Sequence, residues 1–432
     1  MRKISCKIFL SLVLVLLISL VSFAQEIVIH VATDVGGAGV ALSGGIQLFN
    51  EKYSGKYRVE QTMIAFDELR DKLLTQFISK DPVFEVFAVN STWRQQVISY
   101  LYPLDELINT YGPKNPEQVF GPGLVDQWKS NGVIIALPVR IGTAILFYRQ
   151  DWLSEAGFDK ILTLDDYYSA AQKMTVDFDG DGNIDRYGSS IKLASPTWST
   201  ESLAAFFMPH GGWFLNEDLN EASSSLNSKL MVDILNFIKK QWDEKLIPDP
   251  LAWTFDDNVA GFQTGKIAMS SEFSARSLLL EDPEKSEAAG KMGYSLMPSQ
   301  PIGPHPMRHY GASHGLAIDK NIKPELIEAA YAFVSFMASQ EAQEFMAINH
   351  ANGPTLISMY EDPEYIKLNP AALAIRDSLL SNLGDLFPLP ESPQAMELIH
   401  RELQNVITER KTTTQAADDM YQGIQSLIEK RR

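Results

Sequence analysis

The first part of the chain alternates between short β-rich runs and longer stretches with apolar residues at helical spacing. Residues 27–31 form one β-rich run, and residues 83–89 form a second, compact apolar run. Between these runs, apolar residues recur at helical spacing over 66–78. Strands that alternate with helices predict an α/β fold with a mostly parallel sheet. In such sheets ligands lie beyond the carboxyl ends of the strands, and Asn90 and Trp93 directly follow the second run.

The middle of the chain predicts a long extended passage. Residues 134–139 and 143–148 have the apolar composition of strands and are interrupted at Arg140. Farther along, Thr163 with an acidic residue three positions later predicts a capped helix. Residues 298–306 are rich in proline and glycine, and this composition predicts a crossover between folded regions.

The N-terminus has the three-part pattern of a secretory signal peptide. Basic residues come first, an apolar run follows over 8–21, and small residues lead up to Ala24. We predict cleavage between Ala24 and Gln25, because the apolar run is shorter than the ~20 residues that a spanning helix needs. Cys6, the one cysteine, precedes the run and is misplaced for lipid attachment. The sequence therefore predicts a periplasmic or secreted protein whose fold uses no disulfide.

Length and charge narrow the class of protein further. The chain has 432 residues, which predicts two or three domains. It carries 37 basic and 54 acidic residues, a formal net charge of −17. A nucleic-acid-binding protein would present a basic face, so we expect no nucleic acid among the partners.

Several segments carry the motifs of one family, in that family's order. Leu146-Phe147-Tyr148-Arg149-Gln150-Asp151 is similar to its "LYYNKD" passage, although Arg149-Gln150 replaces the usual Asn-Lys. Phe262-Gln263-Thr264-Gly265-Lys266-Ile267-Ala268-Met269 is similar to its "F..GKAAM" segment, although residues 271–275 lack the Trp that is common there. The other matching segments are 136–138, 152–157, 163–166, 177–188, 315–325 and 330–343. Together they resemble the maltose-binding-like (sugar-binding) family of extracellular solute-binding proteins of ABC importers, over essentially the whole mature chain.

The resemblance implies a fold and a function. The fold would be α/β with two hinged lobes (the type II periplasmic-binding-protein fold) that close around a ligand in the cleft between them. Lobe 1 would comprise residues 25–137 and 310–352, and lobe 2 residues 138–309 and 353–432, after the signal peptide at 1–24. The expected function is non-enzymatic. The chain would act as a monomer, bind a carbohydrate, expected to be an oligosaccharide, and deliver it to membrane ABC permease subunits, with no cofactor required.

Candidate ligand-binding residues follow from the chemistry of sugars. Sugars present apolar faces and hydroxyl edges, so they favour aromatic rings and planar polar groups. The candidates lie at strand ends, in loops and on the predicted crossings: Asn90, Trp93, Arg140, Trp198, Trp213, Glu272, Arg276 and His314. Each tryptophan has core packing as its alternative. His314 has a structural hydrogen bond as its alternative, and Arg276 has an i, i+4 ion pair with Glu272.

An acidic loop has the alternating oxygen ligands of a calcium site. Its candidate ligands are Asp177, Asp179, Asp181, Asn183 and Asp185, with Gly182 at the sharp turn. The twelfth position is Gly188 rather than the bidentate Glu of a calcium-binding EF-hand loop. Two interpretations stay open, a structural Ca²⁺ site and a metal-free Asp/Gly turn between a helix and a strand.

Two other functions stay open from the sequence. A receptor for a non-sugar polar solute, such as a peptide or an amino-acid derivative, is favoured by Arg140 and Arg276, because a guanidinium matches a carboxylate. A secreted glycoside hydrolase would need two carboxylates on either side of a sugar ring. No nucleophile elbow, zinc-protease motif or phosphate loop is present in the sequence.

Overall fold

The computed structural model describes residues 26–35 and 37–431. The predicted signal peptide at 1–24 lies outside these residues. Of the described helices, none is both long enough and apolar enough to cross a membrane. The strands are β1 (Ile27–Asp34), β2 (Tyr57–Ile64), β3 (Val86–Asn90), β4 (Lys129–Ser130), β5 (Val133–Ile134), β6 (Leu137–Arg149), β7 (Met269–Phe273), β8 (Met292–Ser295), β9 (His309–Ile318) and β10 (Leu383–Gly384).

Helices cover the sheet and make up most of the C-terminal region. They are α1 (Gly37–Lys52), α2 (Phe66–Ser79), α3 (Asp105–Tyr111), α4 (Pro116–Phe120), α5 (Pro122–Asp126), α6 (Gln150–Glu155), α7 (Leu164–Met174), α8 (Pro196–Phe207), α9 (Lys229–Asp243), α10 (Phe255–Gln263), α11 (Ser277–Leu280), α12 (Ile327–Met337), α13 (Gln340–His350), α14 (Pro363–Leu368), α15 (Ala372–Leu380), α16 (Ser392–Ile407) and α17 (Thr413–Arg431). Short 3₁₀ turns connect several of them.

One mixed sheet runs through the described chain in the order β2-β1-β3-β9-β6-β7, with β8 paired to β6 and β10 to β9. Strand β1 pairs in parallel with β2 and β3. Strand β9 is antiparallel to both β3 and β6, and β6 is antiparallel to β7 and β8. The prediction of a mostly parallel sheet is therefore wrong, because beyond β1–β3 the described strands pair in parallel only at the short β9–β10 contact. The physical reason for this difference is that the long strand β9 runs opposite to β3 and to β6, so the pairs that join the two parts of the sheet are antiparallel.

Strands β6 and β9 connect the two halves of this sheet. The first half is β1–β3, and the second half is β7, β8 and the part of β6 that pairs with them. Residues 137–143 of β6 pair with β9, and residues 144–148 pair with β7. Every residue of β6 is buried except Arg140, which is partly exposed beside a register shift. A strand covered on both faces is expected to be apolar throughout. Arg140 therefore marks a place where one face of β6 is open to solvent.

The local sequence signals explain how several elements begin. The predicted cap at Thr163 is confirmed as a capping box. Asp166 N–H donates to Thr163 Oγ1 at 3.0 Å, and Thr163 N–H donates to Asp166 Oδ2 at 3.0 Å. The Arg149 that departs from the family motif has a packing role. Its guanidinium lies 3.7 Å from the centre of a Trp152 ring, and that of Arg186 lies 4.2 Å from a Trp152 ring centre.

The C-terminal region contributes to two large cores. Side chains from α16 and α17, such as Ile399 and Met420, are buried in a core with α7, α8 and α9. Side chains from residues 356–383, such as Tyr360 and Leu379, are buried instead in a core that extends along the first half and reaches Phe147 of β6. This segment packs against β6 and β8 while its side chains share the core of the first half, and the lobe boundaries at 137, 309 and 352 stay predictions.

Candidate ligand-binding cleft

A cavity of about 990 Å³ lies between the two halves of the sheet. Such a volume is at the upper end of the range for small-molecule pockets. Residues far apart in the sequence line it: Arg70 and residues within 90–96, 140–142, 196–201, 255–256, 273–279, 310–314 and 392–397. The strands β3, β6 and β9 therefore supply the base of the cleft, and the starts of α8, α10 and α16 supply its walls.

A polar cluster lies where β3, β6 and β9 meet. His314 of β9 is the register partner of both Asn90 and Arg140. Its Nε2 lies 3.2 Å from Asn90 Nδ2 and 3.8 Å from Asp34 Oδ2. Burial and the Arg140 charge lower the pKa of His314 to about 4, although the Asp34 charge opposes them. The imidazole is therefore neutral at physiological pH, and its Nε2 accepts a hydrogen bond from the Asn90 amide.

The structure brings three of the predicted candidates together, and their ligand-binding role stays a prediction. Asn90, Arg140 and His314 all line the cleft. Burial lowers the pKa of Arg140 and the Asp34 charge opposes the shift, but a guanidinium stays cationic at any physiological pH. The base of the cleft thus offers a planar cation beside amide and imidazole groups. These groups suit hydroxyl oxygens or a carboxylate.

Four aromatic residues form a continuous wall in the second half. The ring centres of Trp198 and Phe255 are 6.3 Å apart with a 26° angle between planes. Phe255 and Phe273 are 6.1 Å apart, and Phe273 meets Tyr310 edge-on at 5.5 Å. Trp198 is one of the predicted candidates, and Trp93 lies in the first half, mostly buried at the cleft surface. Three of the four wall residues were missed by the sequence prediction.

Helix caps position two of the wall residues. Ser195 Oγ accepts a hydrogen bond from the backbone of Trp198, which fixes the first turn of α8. Thr254 and Asp257 form a capping box, and Phe255 is the first residue of α10. The Thr-x-x-Asp spacing at 254–257 is the signal that predicted the cap at Thr163. It could also have identified Phe255 as a residue at a helix start.

Arg276 lies over the same wall but has a different partner from the one considered. Its guanidinium carbon is 3.8 Å from the centre of the Phe255 ring, and its Nη1 is 3.2 Å from Asp256 Oδ1. The alternative of an ion pair between Arg276 and Glu272 is therefore wrong. Arg276 lines the cleft and stays a candidate ligand-binding residue.

Glu272 does not line the cleft, which corrects its predicted placement. It is 2% exposed, and its carboxylate lies 3.3 Å from Lys192 Nζ and accepts hydrogen bonds from Asn258 Nδ2 at 2.8 Å and from the Phe273 N–H at 2.8 Å. Successive side chains of a strand point to opposite faces. Phe273 faces the cleft, so its neighbour Glu272 points into the interior, where its charge is matched by Lys192.

Trp213 is also placed away from the cleft. Its ring stacks on His305 at 4.5 Å, lies 3.6 Å from the Arg308 guanidinium, and borders a separate cavity of about 220 Å³. The preceding turn explains this position. Gly211 has a φ of +80°, and a Cβ there would collide with the His305 carbonyl oxygen. The turn therefore holds Trp213 against the crossover at 303–308.

Glu201 is a cleft residue that sequence reasoning missed. It lies on α8, one turn after Trp198, and is partly buried. The Tyr310 hydroxyl donates to its Oε1 at 3.3 Å. Burial raises the pKa of Glu201 to about 7, and the Glu272 charge adds to the rise, while Lys192, the Tyr310 hydrogen bond and Arg276 oppose it.

The acidic loop brings three of its five candidate ligands together. Carboxylate oxygens of Asp177, Asp179 and Asp185 all lie within 4.8 Å of one another. Asp181 instead accepts hydrogen bonds from Asn183. The loop is also held by backbone bonds, because Asp177 accepts from two glycine N–H groups and Asp185 from the Phe178 N–H. Three carboxylates at this spacing fit one hard cation, so calcium stays a prediction.

The fold and the cleft define a solute-binding protein. A model of the family described as bacterial extracellular solute-binding protein matches residues 34–344. The chain belongs to this family, whose members are receptors for solutes, and the resemblance found in the sequence is confirmed. Among curated proteins, a probable amino-acid ABC transporter periplasmic-binding protein of Sinorhizobium fredii is 21% identical over 387 residues, which cover 86% of this chain and 83% of the relative.

Solved structures with the same fold cover nearly the whole chain. The sugar-binding protein MalE of Xanthomonas citri has a TM-score of 0.78 and 18% identity, covering 94% of this chain and 98% of that one. MalE3 of T. maritima with bound maltose has a TM-score of 0.75 and 21% identity, covering 93% and 100%. A solute-binding protein of Agrobacterium radiobacter in complex with ribitol has a TM-score of 0.75 and 19% identity, covering 93% of this chain and 98% of that one. The predicted two-lobed α/β fold is confirmed.

Proposed function

We propose that this protein is an extracellular receptor that binds a carbohydrate in the cleft and delivers it to the permease of an ABC importer. The observation that carries the proposal is the pairing of an aromatic wall with a polar base across one cavity. Trp198 and Phe255 offer rings to the apolar faces of a sugar. Asn90, Arg140 and His314 offer donors and acceptors to its hydroxyl groups.

The size of the cavity supports an oligosaccharide. A volume of about 990 Å³ exceeds what one sugar ring needs to be enclosed. The ligands of several similar proteins are sugars and polyols. The similar solved structures include complexes with maltose, ribitol and D-mannitol. A curated arabinooligosaccharide-binding protein of Bacillus subtilis is 23% identical over 224 residues, covering 50% of this chain and 48% of the relative.

Two observations favour other functions. Arg140 in the base of the cleft and Arg276 on its wall would suit a carboxylate, and the Sinorhizobium relative is named for amino acids, so an amino-acid derivative or peptide is the second candidate ligand. Glu201, Asp256 and Glu397 share the cleft, and a glycoside hydrolase would also place carboxylates there. We propose binding without catalysis, because the family consists of receptors.

The site of action follows from the family and the N-terminal pattern. The family is extracellular, and we propose that the chain is exported by the predicted signal peptide and acts as a monomer in the periplasm or outside the cell. Its partners would be the sugar and the permease subunits. No cofactor is needed for the proposed binding.

A thermal-shift panel run beside a hydrolysis assay tests the proposal. The panel contains maltose, maltotriose, arabinotriose, ribitol and D-mannitol, together with amino acids and short peptides. We expect one or more sugars to raise the melting temperature and to be recovered intact. Stabilisation by amino acids or peptides alone would contradict the carbohydrate assignment, and release of shorter sugars would contradict the receptor.

A further inference from the structure

Glu201 is a carboxylate inside the cleft that has one hydrogen bond within the described chain. Its Oε1 accepts from the Tyr310 hydroxyl at 3.3 Å, and no other described residue bonds to the carboxylate. Trp198, one helical turn earlier on α8, belongs to the aromatic wall. A ligand that lies on this wall would therefore meet the carboxylate of Glu201.

The cations near Glu201 are already engaged with other carboxylates. Lys192 Nζ lies 3.3 Å from Glu272 and donates to the Ser271 carbonyl at 2.6 Å. Arg276 pairs with Asp256 at 3.2 Å. Both cations are therefore neutralised mainly by Glu272 and Asp256 rather than by Glu201. This leaves the Glu201 carboxylate as an acceptor without a counter-charge of its own.

Other elements that pack against α8 bring further titratable groups to the cleft, namely Glu397 from α16, Arg140 from β6, and Tyr310 and His314 from β9. From α16, Glu397 lines the same cleft, and His400 Nδ1 lies 2.8 Å from Ser199 Oγ. Burial lowers the pKa of His400, which favours its neutral imidazole. From β6, Arg140 lies in the base of the cleft beside Asp34. A solute that donates hydrogen bonds is the group that would stabilise an ionised Glu201.

We propose that Glu201 contacts the solute and makes its binding depend on pH around neutrality. The ionised carboxylate accepts hydrogen bonds from paired hydroxyl groups of the ligand, and protonation removes this acceptor. The ligand end that meets α8 therefore carries hydroxyl or ammonium donors rather than a carboxylate. This inference rests on the proposed function only in that the solute occupies the cleft.

The direction of the pH dependence follows because the protein binds the ligand with Glu201 ionised. Burial holds the pKa of Glu201 at about 7 in the unliganded protein. Hydrogen bonds from the ligand stabilise the anion, so binding releases a proton and strengthens as the pH rises. Between about pH 8 and about pH 6 the ionised fraction falls about tenfold, and we expect the affinity to fall by the same factor.

Isothermal titration calorimetry with maltotriose at these two pH values tests the inference. Wild type should lose about tenfold in affinity at the lower pH, whereas Glu201→Gln should bind weakly and almost equally at both. Tyr310→Phe removes a hydrogen bond that favours the Glu201 anion, so the pH at which the affinity is half-lost should rise. Glu281→Gln is the matched control, because Tyr294 donates to Glu281 at 2.7 Å outside the cleft. It should keep the wild-type profile.

A ligand-free titration separates this inference from the proposed function. Carbon-13 NMR of glutamate-labelled protein should show a carboxyl resonance that titrates near neutrality and is absent in Glu201→Gln. If all glutamates titrate at ordinary acidic pH, or if wild-type affinity is the same at both pH values, the inference is wrong. If no sugar binds, the carbohydrate assignment fails, and the NMR titration decides whether Glu201 holds the near-neutral proton.

Discussion

At the residue scale, the buried pair of Lys192 and Glu272 shows why a strand-end carboxylate is hard to place from sequence. Strand β7 covers Met269–Phe273, and in any strand a shift of one residue moves every side chain to the other face. Phe273 therefore lines the cleft, and Glu272 is enclosed with Lys192 and Asn258. No signal in the sequence linked residue 192 to residue 272, because their contact depends on the assembled fold.

Breaking this pair should destabilise the protein. Lys192→Met leaves the Glu272 carboxylate buried without its counter-charge, which costs about 3–5 kcal/mol when one partner of a buried pair is removed. Urea denaturation followed by tryptophan fluorescence measures the change. Lys285→Met breaks an exposed pair with Asp282 and should leave the stability almost unchanged, because solvent screens such a pair. Equal effects of the two substitutions would contradict the assigned role of Lys192.

At the element scale, capped helices deliver aromatic residues to the cleft. The sequence predicted the cap at Thr163 but not the role of the same motif at Thr254, which sets Phe255 at the start of α10. The long extended passage at β6 was predicted, and its antiparallel pairing with β9 was not. Pairing direction depends on how the chain returns over about 170 residues between Leu137 and His309, and local propensity carries no such information.

The two capping boxes provide a matched pair for separating stability from binding. Thr254→Ala and Thr163→Ala each remove an N-cap side chain, so each should cost about 1 kcal/mol of folding free energy. Thr254→Ala should also weaken sugar binding, because Phe255 loses its fixed position, whereas Thr163→Ala should leave affinity unchanged. Calorimetric affinities of both variants check this. Unaltered binding by Thr254→Ala would contradict the role given to Phe255.

The acidic loop makes a separate prediction at this scale. If Asp177, Asp179 and Asp185 hold Ca²⁺, calorimetric titration of the protein with calcium chloride should give heat beyond dilution. Asp179→Ala should abolish that heat, while Asp181→Ala should keep much of it because Asp181 bonds to Asn183. Dilution heat alone in the wild type would show a metal-free turn.

At the scale of the whole molecule, the long strands β6 and β9 hold the two halves of the sheet on either side of one cleft. Family motifs in their order predicted the two-lobed fold and a ligand site between the lobes. Composition and length could not, because they are compatible with domains strung in sequence. The three residues at the polar base of the cleft were all among the sequence candidates, whereas Phe255, Phe273, Tyr310 and Glu201 come together only through the tertiary fold.

Direct measurement of sugar binding by wild type and a wall variant tests the central claim most sharply. Isothermal titration calorimetry at about pH 8, with maltotriose and the other sugars of the panel, should give one site per chain for at least one sugar. Trp198→Ala should weaken it about tenfold or more, since stacking on an aromatic ring contributes on the order of 1 kcal/mol or more. Phe178→Ala removes an exposed aromatic outside the cleft and should bind as wild type. Absence of binding by every sugar, or equal binding by Trp198→Ala, would contradict the account.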